Sequence, residues 1–190
     1  MNYSITRRRV KYARIEITRL GEVKVIIPMR YPELSLRKLI REREGWIRKH
    51  LANFAKTKLP VKQNEMLLLG KPVTPTLFAT GDEKWYRAEA KSYIEARLRE
   101  YSLEFGFTYN RVSIRSARSR WGSCSSKQNL SFNWKLIKAP QDVVDYVILH
   151  ELVHTEIMDH SKRFWSRVAE VCPRYKEHKA WLKTYGHNLD

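Results

Sequence analysis

Cysteine, glycine and proline are all scarce in this sequence. The 190 residues include two cysteines, seven glycines and seven prolines. Two cysteines in a chain of this length do not make a disulfide framework, so Cys124 and Cys172 indicate a reducing compartment. The sequence also lacks any run of about 18 apolar residues, the length that a membrane-spanning helix requires. We therefore expect a globular protein without a membrane span.

The first residues lack the apolar core of an export signal. Arginines occupy positions 7–9, and residues 11–16 continue with a mixed, charged run. A signal peptide would place roughly 7–15 apolar residues at this point. Together with the two cysteines, this absence predicts a cytoplasmic location.

Acidic residues are few compared with basic ones. The chain has 37 Lys and Arg against 20 Asp and Glu, a formal net charge of +17. Residues 1–60 hold 16 basic and 5 acidic residues, which places +11 of the excess in the N-terminal third. Such an excess is typical of surfaces that contact nucleic acid or other polyanions. A basic surface that only keeps the protein in solution explains the composition equally well, and both interpretations stay open.

Hydropathy patterns in the N-terminal half predict strands followed by long helices. Alternation within residues 5–28 predicts strands, including a hairpin that turns at residues 20–22. Helical periodicity predicts one helix from a cap at Ser35 to about residue 55, and another over about residues 82–105. Residues 57–64 read as a polar connector, and residues 67–79 as edge or irregular strands because they contain two prolines.

The C-terminal half predicts two short strands and then three helices. Strands are expected at residues 112–115 and 130–134, separated by a loop rich in Gly and Ser at residues 121–128. The three helices are expected behind Pro140, behind Ser161 and behind Pro173. The prediction is an α+β protein, with a basic, strand-rich N-terminal part over residues 1–80 and a catalytic core over residues 81–190.

The five residues 150–154 read His-Glu-Leu-Val-His. On a helix, positions i and i+4 lie on one face, so His150 and His154 can present ring nitrogens to a single metal ion. Glu151 lies one step further round the helix, where it can reach a zinc-bound water and act as general base. The pattern predicts a hydrolase with one Zn²⁺ per chain and with Glu151 as its catalytic residue.

A catalytic zinc site usually takes a third protein ligand. We favour His160, because it follows His154 at the offset of the third histidine in the extended form of this motif. That form has a glycine where this chain has Ile157, so we expect the turn at residues 158–159, where Asp159 tolerates a left-handed conformation. Glu170 and Glu177 further along the chain are the alternative ligands.

Four blocks of sequence carry a family resemblance. They are residues 120–125 (Arg-Trp-Gly-Ser-Cys-Ser), 129–134 (Asn-Leu-Ser-Phe-Asn-Trp), 150–154 and 159–165 (Asp-His-Ser-Lys-Arg-Phe-Trp). In this order and spacing, the chain resembles the YgjP-like metallopeptidase family, which is related to the SprT-like and WLM zinc protease domains.

The resemblance implies a fold, a ligand set and a catalytic base. It implies a zincin-like core of helices packed on a small mixed sheet, zinc bound by His150, His154 and His160, and Glu151 as base. The one departure near these positions is Asp159, where such sequences often have Asn.

The segment from Arg120 to Asn133 resembles a hairpin that leads into the metal helix. The resemblance suggests that this hairpin lines the substrate cleft, so Arg118, Arg120 and Asn133 are the predicted substrate contacts. The arginines could hold an anionic group or polarise a carbonyl in the transition state, although solvated arginines would look the same in sequence. Trp134 is expected in the core, and Cys124 is not expected to act as a nucleophile.

Three functions are compatible with these motifs. A metallopeptidase is favoured, because the metal motif is a peptidase motif and SprT-like relatives, which act on DNA-bound proteins, would let the basic N-terminal part hold nucleic acid. A basic cleft around zinc would also suit a nucleotide pyrophosphatase. The third hypothesis, a nucleic-acid-binding protein with a structural zinc, is disfavoured because structural sites are usually closed and rich in cysteine. The substrate is thus a peptide, a protein or a nucleotide, and the oligomeric state is not predicted.

Overall fold

The computed structural model describes residues 3–18, 22–56, 59, 62, 64–77 and 79–189. Its contacts divide the chain into two compact units, Met1–Leu59 and Pro60–Leu189. The sequence had suggested a division after residue 80. Residues 66–73 belong to the second unit because they bond within it: the Leu69 amide donates to the Ile137 carbonyl at 2.8 Å, and the Tyr86 hydroxyl donates to the Leu67 carbonyl at 2.8 Å.

The first unit is a three-stranded sheet with one long helix. The strands are β1 (Tyr3–Arg8), β2 (Arg14–Ile17) and β3 (Val23–Pro28), and the helix is α1 (Glu33–Lys56). The strand order is β1-β3-β2, with β1 parallel and β2 antiparallel to β3. Val25, Ile27 and Leu36 form the buried centre of this unit, with Ile15 and Ile40 packed against them.

This arrangement confirms the predicted pairing of β2 and β3, while residues 20 and 21 of the predicted turn lie outside the described part. The predicted cap at Ser35 is wrong. The helix begins two residues earlier at Glu33, directly after Pro32, so Ser35 lies inside it.

The second unit opens with a small hairpin and a long helix. The hairpin consists of β4 (Met66–Leu68) and β5 (Lys71–Val73), and the helix is α2 (Glu83–Phe105). Asp82 caps α2 by accepting a hydrogen bond from the Trp85 amide at 2.7 Å. Gly106 ends the helix in a left-handed conformation with φ 74°, which a residue without a Cβ adopts readily. Both helix boundaries agree with the sequence prediction.

A second mixed sheet leads into the C-terminal helices. Its strands are β6 (Arg111–Arg115), β7 (Gly122–Cys124) and β8 (Asn129–Asn133), in the order β6-β8-β7. β6 runs parallel to β8, and β7 runs antiparallel to it at the edge of the sheet. The local sequence pattern predicted a loop where β7 lies, whereas the family resemblance suggested a hairpin over residues 120–133, which the β7–β8 pair confirms. Three small residues carry no strand periodicity of their own, and the strand exists because it pairs with β8.

The remaining chain is helical, as predicted. It consists of a 3-10 helix (Trp134–Lys138), α3 (Gln141–Glu156), α4 (Lys162–Val171), α5 (Tyr175–Tyr185) and a final 3-10 turn (Gly186–Leu189). α3 is the central element, in contact with α2, α4, α5 and β7. Its residues Val144, Ile148 and Leu152 are fully buried, and the predicted core residue Trp134 is buried as well.

Helices packed on small mixed sheets confirm the α+β prediction. In the described part of the chain, no helix is both long enough and apolar enough to cross a membrane.

Candidate metal centre

The three histidines predicted as ligands meet at one point. His150 and His154 lie one turn apart on α3, and His160 follows the end of that helix. The Nε2 atom of His160 is 3.2 Å from Nε2 of His154 and 3.3 Å from Nε2 of His150. Among the described residues, these three form the group of His, Cys, Asp or Glu side chains with the spacing of a metal site.

His160 reaches this point through an extended residue. α3 ends at Glu156, and Ile157 adopts φ −136° and ψ 104°. The Asp159 carboxylate accepts a hydrogen bond from the Ser161 amide at 3.2 Å, and Ser161 then caps α4. The predicted left-handed turn at residues 158–159 is wrong. In the described part of the chain, positive φ angles outside glycine occur at Leu69 and Gln128.

The donor set fits a zinc ion. With Zn–N bonds of about 2.0–2.1 Å in tetrahedral geometry, two nitrogen ligands stand roughly 3.3–3.4 Å apart. The two measured Nε2 separations, 3.2 and 3.3 Å, match that spacing. The alternative ligands are occupied elsewhere: Glu170 pairs with Arg167 at 3.3 Å, and Glu177 pairs with Arg174 at 2.8 Å.

Burial keeps His150 and His154 neutral, the form that binds metal. Burial, with smaller contributions from the neighbouring His154 and His160, lowers the pKa of His150 to about 3. Burial also lowers the pKa of His154. The Nδ1 atom of His154 lies 3.0 Å from the Ile157 carbonyl oxygen. If that nitrogen donates its proton to the carbonyl, the Nε2 lone pair is directed towards the other two histidines.

Aromatic residues of α4 hold the histidine rings in place. The Phe164 side chain is fully buried, and its ring centroid lies 4.9, 4.4 and 4.8 Å from those of His150, His154 and His160. Trp165 stacks on His160 at 5.7 Å. Both residues lie in a block that carried the family resemblance, but nothing in their spacing predicted contact with the ligands.

Glu151 lies beside the metal ligands, packed against the edge strand. Its side chain is buried, and this burial raises the pKa of its carboxyl group to about 8, while the charge of Arg120 acts in the opposite direction. A Cβ atom placed on Gly122 of β7 would lie 2.6 Å from Cγ and 2.6 Å from Oε1 of Glu151. The glycine therefore leaves the space that the carboxyl group fills, a contact that sequence analysis did not predict.

The three predicted substrate contacts have different surroundings. Arg118 and Arg120 are exposed, and the charge of Arg120 reaches Glu151. Asn133 is 4% exposed, and its amide nitrogen donates to the carbonyl oxygens of Ala117 at 2.9 Å and Arg120 at 3.4 Å. Its amide group therefore holds the segment that carries the two arginines.

Cys124 is a poor candidate for a nucleophile. Burial raises the pKa of its thiol to about 11, and the nearby Glu151 carboxylate adds to this effect. The thiol therefore stays protonated at neutral pH, and only the thiolate is reactive. This agrees with the expectation from the sequence.

The solved structures that resemble this chain include two metallopeptidase zymogens. One is the metallopeptidase zymogen abylysin of Pyrococcus abyssi, with 25% identity, a TM-score of 0.44, and coverage of 48% of this chain and 92% of that one. The other is the metallopeptidase zymogen jannalysin of Methanocaldococcus jannaschii, with 19% identity, a TM-score of 0.38, and coverage of 46% and 93%. No curated protein matches the sequence significantly.

A family comparison covers almost the whole chain. The family described as "YgjP-like, metallopeptidase domain" matches residues 11–81 and 80–185. The match spans both units and includes the three histidines and Glu151. The chain therefore belongs to the YgjP-like metallopeptidase family.

Proposed function

We propose that this protein is a zinc-dependent peptidase with Glu151 as its general base. The observation that carries the proposal is that Nε2 of His160 lies 3.2 and 3.3 Å from Nε2 of His154 and His150, beside a buried carboxyl group. A metal held by three protein ligands keeps an open coordination position, which is the arrangement of catalytic sites.

His150, His154 and His160 are the proposed ligands, and zinc is the proposed ion. Three neutral imidazoles suit zinc, which accepts nitrogen ligands in tetrahedral geometry. When bound, the ion supplies a Lewis acid that acidifies a water molecule and polarises a carbonyl group. Phe164 supports the site, because its ring stacks on His154 and meets the rings of His150 and His160 edge-on, which restricts the rotation of all three.

Glu151 is the proposed proton carrier. Its raised pKa, about 8, means that burial outweighs the charge of Arg120, so the carboxyl group gives up its proton reluctantly when no metal ion is bound beside it. A cation nearby favours the carboxylate, which then accepts a proton from water and passes it to the amine that leaves. Packing against Gly122 holds the carboxyl group on the side of α3 that faces β7.

The edge strand β7 supports a peptide substrate. Its partner β8 pairs with one of its sides, and no strand of the described chain pairs with the other. An extended peptide can add to such an edge through main-chain hydrogen bonds. Because Gly122 of β7 contacts Glu151, a peptide bound there would pass next to the proposed base.

The proposal is tested by metal analysis and a substrate panel. Wild-type protein should bind about one zinc per chain, and His150→Ala should lose most of it. The panel contains a denatured protein, nucleoside triphosphates and DNA, each with and without chelator. Chelator-sensitive proteolysis that falls about 10²–10⁴-fold in Glu151→Gln supports a peptidase.

Other outcomes of the panel contradict the proposal. Retained proteolysis in a folded Glu151→Gln protein would exclude Glu151 as the general base. Chelator-sensitive diphosphate release without proteolysis would indicate the pyrophosphatase, with Arg118 and Arg120 as anion contacts. Salt-dependent DNA binding without turnover would indicate a binding protein, in which the basic residues 1–60 contact phosphates.

A further inference from the structure

A basic groove lies on α4 and α5 next to the metal centre. Its volume is about 440 Å³, and its lining residues are Trp165, Tyr175, Lys176, Lys179, Ala180 and Lys183. The lysines are spaced by three and four positions along α5, so they share one face of the helix. The groove therefore combines an aromatic wall, formed by Trp165 and Tyr175, with a row of ammonium groups.

Trp165 joins this groove to the metal centre. Its ring stacks on His160 with a centroid separation of 5.7 Å, and it lies 5.8 Å from the His150 ring. On the groove side, the Lys179 ammonium lies 4.1 Å from the centroid of the Trp165 ring. A single indole thus separates the Lys179 charge from a proposed zinc ligand.

The lysine charges have no acidic partners among the described residues. Ion pairs link other cations in or directly before these two helices to carboxylates, such as Arg167 to Glu156 and Arg174 to Glu177. None of Lys176, Lys179 and Lys183 forms such a pair within the described chain. The acidic side chain nearest to them in sequence, Glu177, is engaged by Arg174 at 2.8 Å. The groove therefore has a net positive charge.

We propose that this groove binds an acidic side chain of the peptide substrate, within about three residues of the bond that is cleaved. This inference rests on the proposed peptidase function and assigns it a substrate class. An extended peptide advances roughly 3.3–3.6 Å per residue. The path from the His160 ring to the Trp165 ring is 5.7 Å, and from the Trp165 ring to the Lys179 ammonium group it is 4.1 Å. About three extended residues cover this path.

The aromatic wall favours a carboxylate over a nucleic acid. Sequence-independent binding of single strands uses free aromatic faces on which bases stack. Trp165 already stacks on His160 and, at 5.4 Å, on Tyr175. In the described part of the chain, the Trp165 ring therefore offers no free face to a base, and the lysine ammonium groups are the groups available for binding. They suit a carboxylate.

Cleavage-site profiling tests the proposal. Zinc-loaded wild-type protein, Lys179→Glu and Lys183→Glu are each incubated with a synthetic library of randomised decapeptides, and the cleaved positions are read by mass spectrometry. Wild-type protein should enrich Asp and Glu about fivefold or more within three positions on one side of the cleaved bond, since exposed ion pairs contribute up to about 1 kcal/mol each. Lys179→Glu should remove or invert this preference.

Lys84→Glu is the matched control. Lys84 is exposed in the first turn of α2, so its substitution changes the net charge by the same amount without touching the groove. The control should keep the acidic preference, and zinc content should be equal in all variants. Equal acidic enrichment in wild type and Lys179→Glu, or none in wild type, overturns the inference while leaving peptidase activity intact.

A binding measurement separates this inference from the proposed function. Fluorescence anisotropy compares a labelled Glu-rich decapeptide with its Gln-substituted counterpart on zinc-loaded Glu151→Gln. Tighter binding of the Glu peptide, lost in the Glu151→Gln, Lys179→Glu double variant, supports the groove even if no peptide is cleaved. Equal binding of both peptides, or displacement of the Glu peptide by a single-stranded oligonucleotide with higher affinity, refutes it.

Discussion

Replacing Gly122 by alanine probes the contact between β7 and Glu151. A Cβ at this position would lie 2.6 Å from Cγ, 2.6 Å from Oε1 and 2.9 Å from Cδ of Glu151. Ordinary contacts of a Cβ begin near 3.4 Å. No left-handed backbone angle is found at Gly122, so alanine meets no conformational strain there. The close contact between the new Cβ and Glu151 is therefore the only effect expected from the substitution.

The expected magnitude follows from these distances. The Glu151 side chain must move by about 0.8 Å to restore contact at 3.4 Å. A displacement of about 1 Å at a catalytic group costs roughly 10²-fold in rate. Overpacking of a tight site costs about 1–3 kcal/mol of stability. We therefore expect Gly122→Ala to lower kcat/KM about 100-fold and to leave the protein folded.

The assay combines three measurements on Gly122→Ala: kcat/KM, zinc content and the free energy of unfolding in urea. Zinc content should stay near one per chain, because the three atoms nearest to a Cβ at Gly122 all belong to Glu151 and none to a proposed ligand. Gly45→Ala is the matched control, since a Cβ at Gly45 meets nothing within 4 Å in α1. It should keep full activity and gain about 0.5–1 kcal/mol of stability.

Full activity in Gly122→Ala would refute this reasoning. So would loss of zinc together with activity, because the glycine would then serve the metal site as a whole. Reduced kcat/KM at unchanged zinc content is the result that assigns Gly122 to the position of Glu151.

Three further predictions concern stability. In metal-free protein, the stability advantage of Glu151→Gln over wild type should grow by roughly 2–3 kcal/mol between pH 6 and pH 9, because burial raises the Glu151 pKa from its ordinary 4.5 to about 8. The folded wild type holds this proton to higher pH than the unfolded chain, so it loses stability as the pH rises through this range. A difference in unfolding free energy between the two proteins that stays constant from pH 6 to pH 9 in urea unfolding would contradict the prediction. Zinc at about 100 times its Kd should stabilise wild-type protein by about 2.7 kcal/mol in thermal unfolding, and chelator or His154→Ala should abolish the effect. Asp145→Ala should cost about 3 kcal/mol in urea unfolding, because Asp145 accepts hydrogen bonds from Tyr93 at 2.9 Å and from Arg97 at 3.1 and 3.0 Å in a mostly buried site; a cost below 1 kcal/mol would show that the network is solvated.

Local patterns predicted much of the fold. The two ends of α2 and the start of α4 behind Ser161 were predictable, because a few neighbouring residues often decide where a helix begins and ends. The pairing of β2 with β3 was also predictable, because the two strands follow each other closely in the sequence. β7 was indicated only by the family resemblance, because its three small residues carry no strand pattern of their own and form a strand by pairing with β8.

The tertiary structure also changed the interpretation of two regions. Asn133 looked like a substrate contact, but its amide group bonds the backbone of residues 117 and 120. Residues 66–73 looked like part of the N-terminal half, but they bond to the 3-10 helix at residues 137–138. Both depend on partners far away in sequence, which a local pattern does not identify.

The metal motif shows most clearly which features follow from the sequence and which follow from the tertiary structure. The sequence by itself determined that His150 and His154 share a helix face with Glu151 next to them, because the helical repeat is a property of neighbouring residues. Only the tertiary structure showed which of the three candidate third ligands lies beside His150 and His154, since His160 reaches them through an extended Ile157 that no motif specifies. The same holds for Phe164 against the histidine rings and for Gly122 beside Glu151. These contacts depend on how α4 and β7 pack around α3, and packing is decided by the whole core.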